Sequence, residues 1–185
     1  MRRNLFTIFL MIIVSLLVAC GSNTKKIVTE KESTNIKGLV NDFNTDKFKD
    51  QTAAITSNEL IIMSSDESQD VYDISKEDFF VSIAPYINET HPWLFHNLTG
   101  CQGEMTNQEF EVYIEDKKGN VIIDEIITSQ SNGFINLWLP RDNIYRVIIK
   151  QGEKSVESML STFESDGTCI TDMQLSNNKN DIVVF

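Results

Sequence analysis

From Phe110 onward, short stretches of alternating polar and apolar residues are separated by polar turns about every ten residues. This rhythm limits the fold more than any other feature of the chain. Phe110, Val112 and Ile114 alternate with charged residues and run into the turn Asp116-Lys117-Lys118-Gly119-Asn120. Further strand-like segments cover residues 121–127, 134–139, 145–150, 156–163 and 168–175, broken by Asn132-Gly133, Pro140-Arg141-Asp142-Asn143, Gln151-Gly152-Glu153 and Asp166-Gly167. Successive side chains on a strand point to opposite faces, so each segment can bury one face and wet the other. The expected fold is mainly β with minor α: an antiparallel β-sandwich-like domain over residues 79–185, preceded by a helix and hairpin segment over 35–78. The tail at 176–181 is polar, and residues 182–185 are expected as a terminal edge strand.

In the first segment, Ile36, Leu39, Val40 and Phe43 keep the spacing of one helical face and predict a short helix ending near Asn44 or Thr45. Phe48 and Ala53-Ala54-Ile55 suggest a further helical turn. Residues 58–63 read as a strand, Ser64 to Ser68 as a turn, and 71–74 as the returning hairpin partner. Phe79, Val81 and Ile83 then alternate with Phe80, Ser82 and Ala84, which favours a strand delivering the chain to Pro85-Tyr86. The competing reading is a helix capped by Ser75 with Asp78 three residues on.

The N-terminus carries Arg2 and Arg3, then an apolar run to Ala19, and Leu17-Val18-Ala19-Cys20 followed by Gly21-Ser22. A basic region, a short apolar core and a small residue before the cut mark an export signal. The cysteine at that point looks like a bacterial lipobox, with Cys20 acylated as the mature N-terminus. The alternative, a transmembrane anchor, needs about 20 apolar residues. Residues 1–19 are therefore expected to be a lipoprotein signal peptide, and residues 20–34, polar and charged, a flexible tether. Removing Arg2 and Arg3 makes a chain of formal charge −11 two units more negative. That balance argues against nucleic acid, whose phosphates need Lys and Arg to displace their counterions.

Chemistry concentrates in Thr90-His91-Pro92-Trp93-Leu94-Phe95-His96-Asn97-Leu98-Thr99-Gly100-Cys101-Gln102-Gly103-Glu104, which holds both histidines of the protein. With Cys20 assigned to lipid, Cys101 and Cys169 remain. In an oxidising compartment a pair of cysteines is a disulfide by default. A bridge closing so long a loop stabilises by roughly 4 kcal/mol in the loop-entropy account. The alternative is a thiolate–imidazole site for a soft metal such as Cu(I) or Zn(II), built from Cys101, Cys169 and His96 or His91. The spacing is not that of a zinc finger. Met63, Met105, Met159 and Met173 are read as gap-fillers before thioether ligands. Neither a phosphate loop nor a serine nucleophile elbow is visible.

Four stretches resemble the CueP family of exported bacterial copper-binding proteins: Ser82-Ile83-Ala84-Pro85-Tyr86; Thr90-His91 with His96-Asn97-Leu98-Thr99-Gly100-Cys101-Gln102-Gly103-Glu104; residues 132–142 around Asn132-Gly133-Phe134; and residues 168–175 around Thr168-Cys169. The resemblance implies copper held through cysteine thiolates and a part in envelope copper handling or resistance. It also implies three cysteines, of which Cys101 and Cys169 match two while Trp93 stands at the first. His91 and His96 are then the available replacements. The expected partners are copper ions, the membrane through a lipid on Cys20, a second copy in a homodimer, and an envelope thiol-redox or copper-delivery protein. No enzymatic activity is expected beyond a minor thiol-dependent reduction of Cu(II). The other class of reading is a disulfide-stapled β scaffold or adhesion lipoprotein without metal.

Overall fold

The computed structural model describes residues 25–27, 35–45, 47–92, 94–177 and 182–183. The signal peptide, Cys20, Trp93 and most of the expected tether lie outside the described residues. No helix among the described residues is long and apolar enough to cross a membrane.

The predicted helix is α1, Ile36–Asn44. The Asn35 side chain caps its start by accepting the Gly38 N–H at 3.0 Å, a contact that typically stabilises by about 1 kcal/mol. The strands are β1 Lys25–Ile27, β2 Gln51–Ile55, β3 Glu59–Ser64, β4 Gln69–Asp73, β5 Phe79–Ile83, β6 His96–Asn97, β7 Glu109–Asp116, β8 Val121–Thr128, β9 Ile135–Leu139, β10 Ile144–Gln151, β11 Lys154–Ser161, β12 Cys169–Ile170 and β13 Ile182–Val183. They form three sheets, ordered β1-β4-β3-β2-β6, β12-β5-β9 and β13-β11-β10-β7-β8.

Three local expectations change, the first being that the strand expected over residues 168–175 is confined to β12, Cys169–Ile170. Residues 53–55 belong to β2, not to a helical turn, because β2 is hydrogen-bonded on both sides, to β3 and to β6. A full ladder outweighs the helical preference of two alanines. Within the stretch expected as a tether, Lys25–Ile27 pairs parallel to β4. The remaining ladders are antiparallel except β12 on β5 and β13 on β11. The mainly β, sandwich-like architecture is as predicted, and the edge strand β13 falls where the last apolar residues placed it.

The sheet β12-β5-β9 lies between two cores. All five residues of β5 are buried. Phe79, Val81 and Ile83, with Ile135, Leu137 and Leu139 of β9, pack against Phe110, Val112, Ile114, Tyr145, Val147 and Ile149 in the larger core. On the other face, Phe80 and Trp138 pack with Val40 and Phe43 of α1 and with Ala53, Ile55, Leu60 and Ile62. The helix, the hairpin and the β domain therefore share a core across residue 78. Arg141 fastens this junction from the side: Nε donates to the Glu77 carbonyl and Nη2 to those of Ser57 and Ile74, while the guanidinium lies 5.4 Å from the Phe79 ring centre.

Candidate metal centre

Two segments far apart in the chain, residues 96–101 and β12, bring soft donors together on the second face of the middle sheet. His96 lies on β6, whose ladder with β2 sets Ile55 opposite His96. Its N–H donates to Thr168 Oγ1 at 3.0 Å, and that hydroxyl donates to the Ile55 carbonyl at 2.7 Å. Cys101 returns to the histidine through a tight turn. There Asn97 Oδ1 accepts the N–H groups of Thr99 and Gly100, and the Cys101 N–H donates to the Asn97 carbonyl at 3.0 Å. Cys169 arrives on β12 beside Ser82, with the Ser82 N–H donating to the Thr168 carbonyl at 2.8 Å.

Close backbone packing holds these segments in place. A Cβ on Gly133, which sits at φ +81°, would fall 2.6 Å from the Gly103 carbonyl oxygen. Gly103 in turn donates its N–H to the Asn132 carbonyl at 2.7 Å, tying the loop after Cys101 to the turn before β9. On the same loop, the Glu104 carboxylate accepts the N–H groups of Ile87, Asn88 and Glu89 and the amide of Asn88. Burial alone would push this carboxyl up, but those donors hold it down at about 2.

His96, Cys101 and Cys169 are all buried, at 0, 4 and 6 % exposure, and one ligand atom from each lies within 4.8 Å of the others. The Cys169 sulfur is 3.7 Å from His96 Nδ1. Phe134, its ring centre 4.5 Å from that of His96, and Ala84 supply an apolar wall. Both cysteines are free thiols. The neighbouring Cys169 thiol holds the Cys101 thiol down at about 4 against burial. The same contact, with burial, pushes the Cys169 thiol up. The two thiols therefore titrate as a coupled pair, and the first proton leaves it more readily than from an isolated cysteine.

Of the residues anticipated as ligands, the fold unites His96, Cys101 and Cys169. His91 is half-buried and stands outside this group. Met105 and Met173 pack in the larger core, while Met63 and Met159 are exposed on their strands. Sequence reasoning passed over Ser82, Asn136 and Thr168, which contact the ligands or support residues that do. Their signal was a polar side chain inside an otherwise apolar strand, as in Phe79-Phe80-Val81-Ser82-Ile83.

The sequence profile of the family described as "Periplasmic copper-binding protein CueP" matches residues 35–174. The chain belongs to the CueP family. Among solved structures, a crystal structure of S.CueP superposes with a TM-score of 0.71 at 33% identity, covering 76% of this chain and 88% of that one. No curated protein sequence matches the chain. Membership in CueP is membership in a family of periplasmic, hence extracytoplasmic, copper-binding proteins. The donor set agrees with copper: two soft sulfurs and one imidazole nitrogen lie buried beside Phe134 and Ala84.

Proposed function

We propose that this CueP protein binds one Cu(I) through the sulfurs of Cys101 and Cys169 and the Nδ1 nitrogen of His96, as part of envelope copper handling or resistance. The observation that carries the reading is the convergence of three buried soft donors within 4.8 Å of one another. Three such ligands suit a low-coordinate Cu(I) ion, whereas structural zinc takes four. His96 then supplies the third donor where the family resemblance gives a cysteine at the position of Trp93. Cu(I) is held by thiolates, so binding releases thiol protons and affinity rises with pH while the thiols are protonated. The test is a Cu(I) competition titration of the reduced protein beside Cys101→Ser and Cys169→Ser. One tightly held equivalent is expected in the wild type, with a loss of at least about 100-fold in either variant. Unchanged affinity in both variants would sink the assignment. Cu(I)-protected thiols that react once the metal is removed would separate this reading from a permanent disulfide staple.

The same proposal places the protein on the outer side of the cell membrane through a lipid on Cys20, with residues 20–34 leading to the body. An acyl chain contributes about 0.8 kcal/mol per buried CH₂. Cys20→Ser should move the protein from the membrane fraction to the soluble one and abolish labelling by a palmitate analogue. A copper-delivery or thiol-redox protein of the envelope is the partner class that such a site calls for.

A further inference from the structure

A chain of polar side chains runs away from the back of the His96 ring. Nε2 lies 3.3 Å from Ser82 Oγ, Ser82 Oγ donates to Asn136 Oδ1 at 2.5 Å, and Asn136 Nδ2 donates to Gln130 Oε1 at 3.1 Å. Ser82 and His96 are both fully buried, so bulk solvent reaches neither. Ser82 has one proton. With that proton committed to Asn136, its oxygen meets His96 only as an acceptor. The opposite side of the ring, Nδ1, faces the Cys169 sulfur.

We infer that the Ser82–Asn136–Gln130 chain is the positioning device of the copper site: it keeps the proton of His96 on Nε2 and presents Nδ1, with its lone pair, to the metal. This inference rests on the Cu(I) reading and extends it from the ligands to the residues that orient them. A neutral imidazole carries one N–H, and the hydrogen bond made by that nitrogen decides which nitrogen is left for a metal. The middle sheet makes the arrangement stiff. Ser82 and Asn136 are opposite each other in the β5–β9 ladder, so the acceptor for the serine proton is set by strand register. Ser82 also faces Cys169 across the β5–β12 ladder, so one residue spaces a thiol ligand and orients the imidazole ligand.

The experiment reads the imidazole nitrogens by ¹⁵N–¹H NMR in the reduced protein, with and without Cu(I), alongside Cu(I) competition titrations. The wild type should keep a protonated Nε2 in both states, with Nδ1 the nitrogen whose signal moves on Cu(I) binding. Ser82→Ala and Asn136→Leu should each weaken Cu(I) binding about tenfold or more and lose the fixed Nε2–H signal. Asn136→Asp, which still accepts from Ser82, should keep the signal and stay within about threefold of wild-type affinity. A purely structural role would lower thermal stability in Ser82→Ala while leaving affinity and the nitrogen signals alone, and that result overturns the proposal. So does a Cu(I) complex in which Nδ1 keeps the proton. If the wild type binds no Cu(I), the copper reading fails by itself. The polarity of the hydrogen-bond chain is then still decided by whether the metal-free wild type shows a protonated Nε2 that Asn136→Leu removes.

Discussion

Toward the larger core, β5 and β9 present Phe79, Val81, Ile83, Ile135, Leu137 and Leu139, while the reverse of the same two strands carries Phe80, Ser82, Asn136 and Trp138. The first face asks only for volume and shape, as close-packed interiors do. The second asks every polar atom for a partner, and the partners it finds are the proposed ligands and the residues that support them. A single pleat therefore separates residues that hold the protein together from residues that set its chemistry. Damage to the first face should appear in stability, and damage to the second in copper binding.

The strongest way to break that separation is Phe79→Ala. Removing a fully buried ring that also lies under Arg141 should cost about 3–5 kcal/mol in chemical denaturation. The molecules that remain folded should bind Cu(I) within about threefold of wild type. A parallel fall in affinity would show that the two faces act as one unit.

Thr168→Val tests the second face with a change of nearly the same shape. It leaves the His96 N–H and the Ile55 carbonyl without their buried partner, which should cost about 2 kcal/mol. Because Thr168 sits between the strand of His96 and that of Cys169, Cu(I) affinity should fall about tenfold as well. A loss of stability with no loss of affinity would confine Thr168 to a structural role.

The smallest effect belongs to Glu104, at the rim. Its carboxyl is held at about 2 against an ordinary value of 4.5 by N–H groups of the loop that leads toward His91. A lowered value stabilises the fold above about pH 4.5, and that contribution is lost as pH falls toward 2. Since the group is exposed, solvent screening reduces it to about 1 kcal/mol. Glu104→Gln should therefore lower stability by that amount at pH 7, and the difference from wild type should vanish near pH 2. A difference that persists in acid would mean that the side chain acts by packing rather than by charge.

Reading residues in order captured the features that depend on near neighbours. Ile36, Leu39, Val40 and Phe43 announced a helix by their spacing, and Phe110, Val112 and Ile114 announced a strand by theirs. The cysteines announced soft chemistry by their element. Residues 53–55 misled, because two alanines before an isoleucine look helical until a strand is available on each side. His91 and His96 could not be ranked, since both fall in a stretch of sequence without period and differ only in what folds against them. Ser82 was visible as a polar interruption, but its meaning depended on Asn136, which stands opposite it only after β5 and β9 pair.

The chain alone thus determined an exported, acidic, mainly β protein with two cysteines suited to a soft metal, because composition and alternation act within a few residues. Tertiary structure chose His96 over His91, joined it to Cys101 and Cys169, and set Ser82 and Asn136 behind it. Those choices depend on ladders between segments distant in sequence, where register places each side chain on one face or the other.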